Sequence, residues 1–419
     1  SFTTTFSSWD FSMARKVLCI TTCTTGGTER WWMRKSSNKS QKPAPLLTRK
    51  TMRNSDSKVL RDSRVTGCLY AMVVATVVSP VLVNAFGVST DIANGLLAVV
   101  SVICMIGYWQ KEKISYLALF LIGANIALSI ASGRFGATAF TILLVIYFIV
   151  KKGYAKNHLC LFVALMAVAF FGMFILYYFI GFNSFYNKEM WRDSAGEYVL
   201  RQSLGFLNAN QAMLFWAALA AVNMVNDSSR KATAAFLLVL TCLFYTQTGS
   251  RTTMLVLGVI LALFFLLGPK TARVAPRWVI ACIAIMPFAL LLFSFALAYL
   301  NDVDWINRLF SGRPRIYANA LQLSGVSAFG SSAIEKMMFD NGYLHALLSK
   351  GAVFAVMFFS LLAYIFAHEK RITVGTALFA GGFYAINVTE TAFLNFIFLV
   401  PLVLLLERDN LLLDRTLEK

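Results

Sequence analysis

Charge is scarce in this chain: Asp, Glu, Lys and Arg make up 14% of its 419 residues, against about a quarter in an ordinary soluble domain. With 58% hydrophobic residues, 36 Phe among them, it carries more apolar surface than a water-soluble fold can bury, so a membrane is its solvent. That balance also excludes a disordered protein, a coiled coil and a disulfide scaffold. The seven Cys are mostly lone residues inside apolar runs, with neither a zinc spacing nor an even disulfide framework. They read as packing residues. His is limited to His158, His345 and His368, and no HExxH or DxD-like string appears, so no metal or other cofactor is expected. Ionisable residues at mid-membrane depth are few. Arg134, Arg251 and Glu390 fall at predicted outer ends of spans, and only Lys350 lies clearly within an apolar run. Proton-coupled pumps use carboxylates or His deep in the bundle, so a pump is disfavoured.

The net charge of +18 is unevenly placed. Residues 1–64 hold 13 Lys and Arg against 4 Asp and Glu; the other 355 residues hold 25 against 16. A basic leader ahead of hydrophobic spans reads as a cytoplasmic tail. It has no zinc-finger, helix-turn-helix or RNA-recognition signature, so nucleic acid is not expected as a partner. Residues 1–64 show no helical period and are expected to be disordered. Met52 opens a short polar basic leader, MRNSDSKVLRDSR, which makes residues 1–51 candidates for upstream sequence that the natural protein lacks.

From Val65 onward the pattern is one of repeated apolar runs. A spanning helix needs about 20 apolar residues, and twelve candidates meet that need within its range: Val65–Gly87, Ile92–Trp109, Ile114–Ser132, Phe135–Val150, Leu159–Ile180, Leu204–Val225, Ala232–Gln247, Thr252–Gly268, Trp278–Leu300, Tyr343–Ala367, Ile372–Val388 and Ala392–Leu406. The runs lack strand alternation, so the expected fold is an all-α polytopic membrane protein, a bundle of about twelve transmembrane helices. The connections QKEK, KKGYAKN, NDSSRK, PKTARVAPR and HEKR and the C-terminal tail are basic, and they alternate with poorer ones such as VSTD and VTET. The positive-inside rule therefore predicts both termini in the cytoplasm. Two connections on the opposite side are long, Gly181–Ser203 and Asn301–Gly342.

These two outward loops carry Arg192 and Arg201, then Arg308, Arg313 and Arg315; Arg251 follows the turn TQTGS. Basic residues on that side need a reason. Guanidinium groups bind phosphate oxygens bidentately and stay charged, so an anionic, outward-presented ligand such as a lipid-linked pyrophosphate would account for them. The plainer account is pairing with Glu189, Asp193, Glu197, Asp302 and Asp304, or with lipid headgroups. Three strings narrow the reading. In RQSLGFLNANQAM (201–213), Asn208, Asn210 and Gln211 begin a span, where amides either bind sugar hydroxyls or cap the helix. In TGSRTTM (248–254), Arg251 stands at a helix entry, whose partial positive charge and free N–H groups favour phosphate. In DNGYLHALLSKG (340–351), Asp340 is either a helix cap or a proton acceptor. Asn341 and His345 are four apart and share a face, with His345 either a packing residue or a catalytic one.

With those strings, the sequence resembles the Wzy-type polysaccharide polymerase and O-antigen ligase superfamily. The GF-N-x-N stretch, the T-x-SR turn and the long loop with R-L-x-x-GR, ending in DN-x-YL and a later Gly, are similar in order and spacing. They cover Arg201 to Gly351; the rest matches by topology alone. The resemblance implies a metal-independent glycosyltransferase that joins repeat units carried on undecaprenyl pyrophosphate, outside a bacterial cytoplasmic membrane. A flippase and a chain-length regulator would be its protein partners. By the same resemblance Arg251, Arg308, Arg313 and Asp340 are the expected catalytic residues. Arg251 would bind the pyrophosphate, Arg308 or Arg313 would neutralise the departing oxygen, and Asp340 would stand as base. The expected substrate-binding residues are Arg201, Asn208, Asn210, Arg315, Asn341, Tyr343 and His345. The ligases carry His where this chain has Asp340, which suits a polymerase better. A ligase-type transferase and a flippase or exporter of the lipid-linked unit are the alternatives.

Overall fold

The computed structural model describes residues 49–109, 116–132, 143, 147, 158–192, 197–226, 231–337, 339–369 and 371–417. The expectations for residues 1–48 lie outside these. So does the span Phe135–Val150, apart from Leu143 and Tyr147. The chain divides into two units, Ser1–Arg64 and Val65–Lys419, and the packing and the candidate site belong to the second. The helices are α1 (Arg49–Phe86), α2 (Thr90–Trp109), α3 (Tyr116–Ser132), α4 (His158–Ile180), α5 (Ala209–Asn226), α6 (Lys231–Thr248), α7 (Arg251–Leu267) and α8 (Arg277–Tyr299). They continue with α9 (Asp304–Leu309), α10 (Arg313–Ser324), α11 (Ser332–Lys336), α12 (Gly342–Lys350), α13 (Ala352–His368), α14 (Val374–Ile386) and α15 (Phe396–Leu417). Between α4 and α5, strands β1 (Lys188–Arg192) and β2 (Glu197–Arg201) pair antiparallel, with Lys188 opposite Arg201.

Helix α5 is the centre. It packs against α4, α6, α7, α14 and α15, and an almost continuous run from Ala212 to Val222 is buried. A helix apolar on every side belongs inside a protein or a membrane bundle, and its six Ala let neighbours approach. Within that run the Trp216 indole N–H donates to Thr241 Oγ1 on α6 at 2.9 Å. Helix α8 lies at the edge of the bundle. Trp278, Ile285, Leu292 and Tyr299, seven apart, form one stripe that is 62–79% exposed along its whole length. Seven residues are about two turns, so these side chains share a face, and an apolar stripe this long needs lipid, not water, beside it.

Four helical stretches among the described residues are long and apolar enough to cross a membrane: Gly67–Phe86, His158–Ile180, Arg251–Ala272 and Arg277–Tyr299. Several expected elements come out differently. Helix α1 starts at Arg49, because Arg49–Arg64 contains neither Gly nor Pro and nothing stops the helix from extending upstream. The loop 181–203 is built from a 3₁₀ turn (Ser184–Tyr186) and the β hairpin, and the loop 301–342 contains α9, α10 and α11. The expected span Tyr343–Ala367 is broken into α12 and α13 at Gly351, whose φ is 97°. A helix break leaves backbone groups without partners. Here a neighbouring strap takes them: Ser331 N–H donates to Leu348 C=O at 2.8 Å and Ala352 N–H to Ser327 C=O at 2.9 Å. The crossing is backbone on backbone, since a Cβ on Gly351 would overlap Ala328 C=O and one on Gly330 would overlap Ser349 C=O. Lys350 therefore ends a short helix instead of sitting inside a long apolar run.

Candidate functional site

The three strings singled out in the sequence meet at one end of the bundle. Arg313 opens α10 after a tight turn in which Gly312, at φ 77°, donates its N–H to Asn307 C=O. That turn sends the Arg313 guanidinium inward, where 17% of the side chain stays exposed. Its Nη1 donates to Thr252 Oγ1 at 3.1 Å, one residue beyond Arg251. Its Nη2 lies 3.4 Å from Asp340 Oδ2 and 3.3 Å from Glu390 Oε1. The two carboxylates stand in different surroundings: the Asp340 side chain is 42% exposed, that of Glu390 only 4%.

A second arginine reaches the same carboxylate through an amide. Arg201, the last residue of β2, donates Nε to Thr248 C=O at 2.7 Å, and its Nη2 donates to Asn210 Oδ1. Asn210 Nδ2 donates in turn to Glu390 Oε2 at 3.4 Å. The Asn210 amide is thus oriented from both ends, with an acceptor toward Arg201 and a donor toward Glu390. Asn208 sets the start of α5: its Oδ1 accepts from Asn210 N–H at 2.9 Å, as a helix-capping side chain does.

Glu390 sits in the connection 387–395 between α14 and α15, and that connection is sewn to the Asp340 segment. Gly342 N–H donates to Asn387 C=O at 2.8 Å and to Glu390 C=O at 3.0 Å. A Cβ at Gly342 would overlap Asn387 Oδ1 and crowd Phe393, which explains Gly at this place. Asn341 is buried and fully used. Its Oδ1 caps α12 by accepting from Leu344 N–H at 2.9 Å, while Nδ2 donates to Ser294 Oγ and Val388 C=O at 3.1 and 2.9 Å. Tyr317 O–H donates to Asp340 C=O at 2.7 Å, with Val388 C=O at 3.0 Å. Burial pushes the Tyr317 phenol up and keeps it a neutral donor.

Glu390 is the electrostatic exception. Burial pushes its carboxyl up to about 8; Asp340 adds to the rise, and Arg313 and Arg201 oppose it. At neutral pH it is therefore largely protonated. A neutral Glu390 accepts from Arg313 and, through Asn210, is linked to Arg201 without offering either guanidinium a full negative charge.

The remaining predicted residues are placed elsewhere or otherwise employed. Arg251 is exposed at the first position of α7. Arg308 is exposed in the last turn of α9. Arg315 pairs with Asp304 at 3.6 Å with both side chains open to solvent, a contact of little energetic weight. Tyr343 is buried among aromatic rings, its O–H donating to Tyr384 C=O at 3.0 Å. His345 shares a face with Asn341 in sequence but faces a separate group, with Ser349 Oγ 3.4 Å from Nδ1 and the Phe339 ring beside it. There Lys350 Nζ pairs with Glu335 Oε1 at 2.5 Å.

Sequence reasoning placed Glu390 at the outer end of a span but gave it no role. Thr252 belongs to the hydroxyl-rich helix entry TGSRTTM, whereas Tyr317 and Asn387 carry no signal of their own in the sequence. A carboxylate in a connection as short and apolar as VTET was the available signal, because such a group must find cations or a proton. Among the described residues no three His, Cys, Asp or Glu side chains gather as a metal-holding group. No protein-family model, curated protein or solved structure matches this chain.

Proposed function

We propose that this protein is an integral membrane glycosyltransferase of about twelve spans, with both termini cytoplasmic. It polymerises undecaprenyl-pyrophosphate-linked repeat units into a surface polysaccharide on the outer face of a bacterial cytoplasmic membrane. The observation that carries the reading is the meeting of Arg201 and Arg313 around a buried carboxyl group, next to the exposed start of α7 at Arg251. Guanidinium groups fixed at one end of an apolar bundle suit a lipid pyrophosphate, whose headgroup stands at the bilayer surface.

In this reading the acceptor hydroxyl attacks the anomeric carbon of the donor sugar. The new glycosidic bond forms as the bond to the pyrophosphate oxygen breaks, and the lipid pyrophosphate leaves. Arg251 holds the pyrophosphate. Arg313 neutralises charge on the departing oxygen, the role its direct link to Thr252 favours over the outlying Arg308. Asp340, the more open of the two carboxylates, accepts the hydroxyl proton. Asn210 orients Arg201 and Glu390, and Asn208 Nδ2, whose amide oxygen caps α5, is the group offered to a sugar hydroxyl.

The test is deletion of the gene in its bacterium, followed by extraction and sizing of lipid-linked glycans. Single repeat units accumulating on the outer face, with long polymer absent, support a polymerase. Units trapped on the inner face would mean a flippase. Long polymer that stays on the lipid carrier would mean a ligase.

A further inference from the structure

Glu390 is held in a way that an ordinary structural ion pair is not. Its two oxygens are addressed by two arginines, directly by Arg313 and through Asn210 by Arg201, yet the contacts at 3.3 and 3.4 Å are long beside the 2.7–2.9 Å of tight charge-assisted hydrogen bonds. Arg313 Nη2 is shared between Glu390 on the buried side and Asp340 on the open side. Asp340, with 42% of its side chain exposed, marks the solvent side of Arg313, so an anion reaching that guanidinium from solvent meets it on the side away from Glu390. In taking Arg313 it would draw the guanidinium off Glu390 and bring negative charge toward a carboxylate that has no water to replace it. A buried charge stripped of its partner is unstable unless it is neutralised.

We infer that Glu390 is the proton-linked counter-ion of this arginine pair: an anionic headgroup docks on Arg313 together with a protonated Glu390, so that in alkaline solution, where the empty site has lost that proton, docking takes one up and departure of the anion releases it. The inference rests on the reading that the arginine cluster binds an anionic leaving group. It makes Glu390 a positioning residue, which acts through Arg313 and Asn210. The charged and titratable groups around it are Arg313 and Tyr317 on α10, Asp340 before α12 and Arg201 on β2. Thr252 on α7 and Asn210 on α5 add neutral hydrogen-bonding groups. A carboxyl group already displaced upward by burial needs only a modest further push to keep its proton in alkaline solution.

Farnesyl pyrophosphate has a lipid pyrophosphate headgroup and no sugar to transfer, so it can be titrated into the full chain in nanodiscs without turnover. Calorimetry near pH 9, in buffers of different ionisation enthalpy, counts the protons exchanged. The ligand is fully ionised there and contributes none. Wild type is expected to take up about one proton per ligand bound, with affinity falling about tenfold for each pH unit above about 8. Glu390→Gln is expected to bind with no uptake and with a flat pH dependence. Binding without uptake in wild type, or equal uptake in Glu390→Gln, overturns the inference and leaves the reading of the site intact. No binding by folded wild-type protein at any pH removes both. Should Glu390→Gln misfold, Asp340→Asn decides: uptake retained supports Glu390, and uptake lost with binding retained assigns the proton to Asp340 and overturns the inference.

Discussion

Glu390→Gln has a consequence for stability that is independent of any ligand. In the unfolded chain a Glu carboxyl ionises near 4.5, whereas in the fold burial raises it to about 8. Between those values the folded protein holds a proton that the unfolded chain has released. Stability therefore falls as pH rises through this window, is fully present below it and stops falling above it. At about 1.4 kcal/mol for each pH unit of displacement, the whole loss is about 5 kcal/mol. The part between pH 5.5 and pH 7.5 is about 3 kcal/mol. Gln fills the same volume and cannot ionise, so the variant lacks this component. The assay is equilibrium denaturant unfolding in mixed micelles at a series of pH values, with the variant subtracted from wild type so that other titrating groups cancel. The difference should slope downward across the window, wild type losing stability relative to Glu390→Gln as pH rises. Parallel curves would show that Glu390 ionises in the fold much as it does in the unfolded chain. The account of Glu390 as a largely neutral acceptor at neutral pH would then fail.

Three other outcomes are expected. Arg251→Lys should cut polymer output by roughly tenfold or more although it keeps the charge, because the bidentate fork is lost; unchanged output, read by glycan sizing, would remove Arg251 from the site. Asn341→Ala should cost about 2–3 kcal/mol of stability, from the lost α12 cap and the unpaired Ser294 hydroxyl, and micellar unfolding measures it. A purely kinetic defect with stability intact would return Asn341 to substrate binding. Chelation by EDTA should leave the transfer reaction running in membrane vesicles; loss of activity that Mg²⁺ or Mn²⁺ restores would contradict a metal-independent reaction.

The helical and apolar character was legible because it depends on composition and run length, which tertiary context does not alter. Lys350 shows what was not legible. In sequence it lies inside a long apolar run that reads as one span, and only the backbone crossing of Gly330 and Gly351 reveals a break there. A crossing between residues 21 apart has no local period to announce it. The site divides in the same way. Arg201, Asn210, Arg313 and Asp340 could be picked out because charged and amide groups at the ends of apolar runs require partners. Which partners they find depends on the packing of α5, α7, α10 and the connection 387–395. Tyr343 and Asn341 sit in the same string as Asp340, yet one fills the core and the other caps a helix.

The resulting division of labour has a physical basis. A surface arginine is cheap to hold but loosely oriented, and a buried one is well oriented but costly to keep charged. This end of the bundle holds both kinds. Arg251 is exposed, whereas Arg313 is fixed at once by Thr252, Asp340 and Glu390. Orienting a guanidinium with a carboxylate would ordinarily cancel the charge that makes it useful to an anion. A carboxyl group buried deeply enough to stay protonated escapes that conflict, since it still accepts the hydrogen bonds of Arg313 and Asn210 without offering a full negative charge in return. In the proposed reading, burial at 390 is therefore what fixes Arg313 and, through Asn210, Arg201 in place without a second full negative charge opposing an anionic ligand.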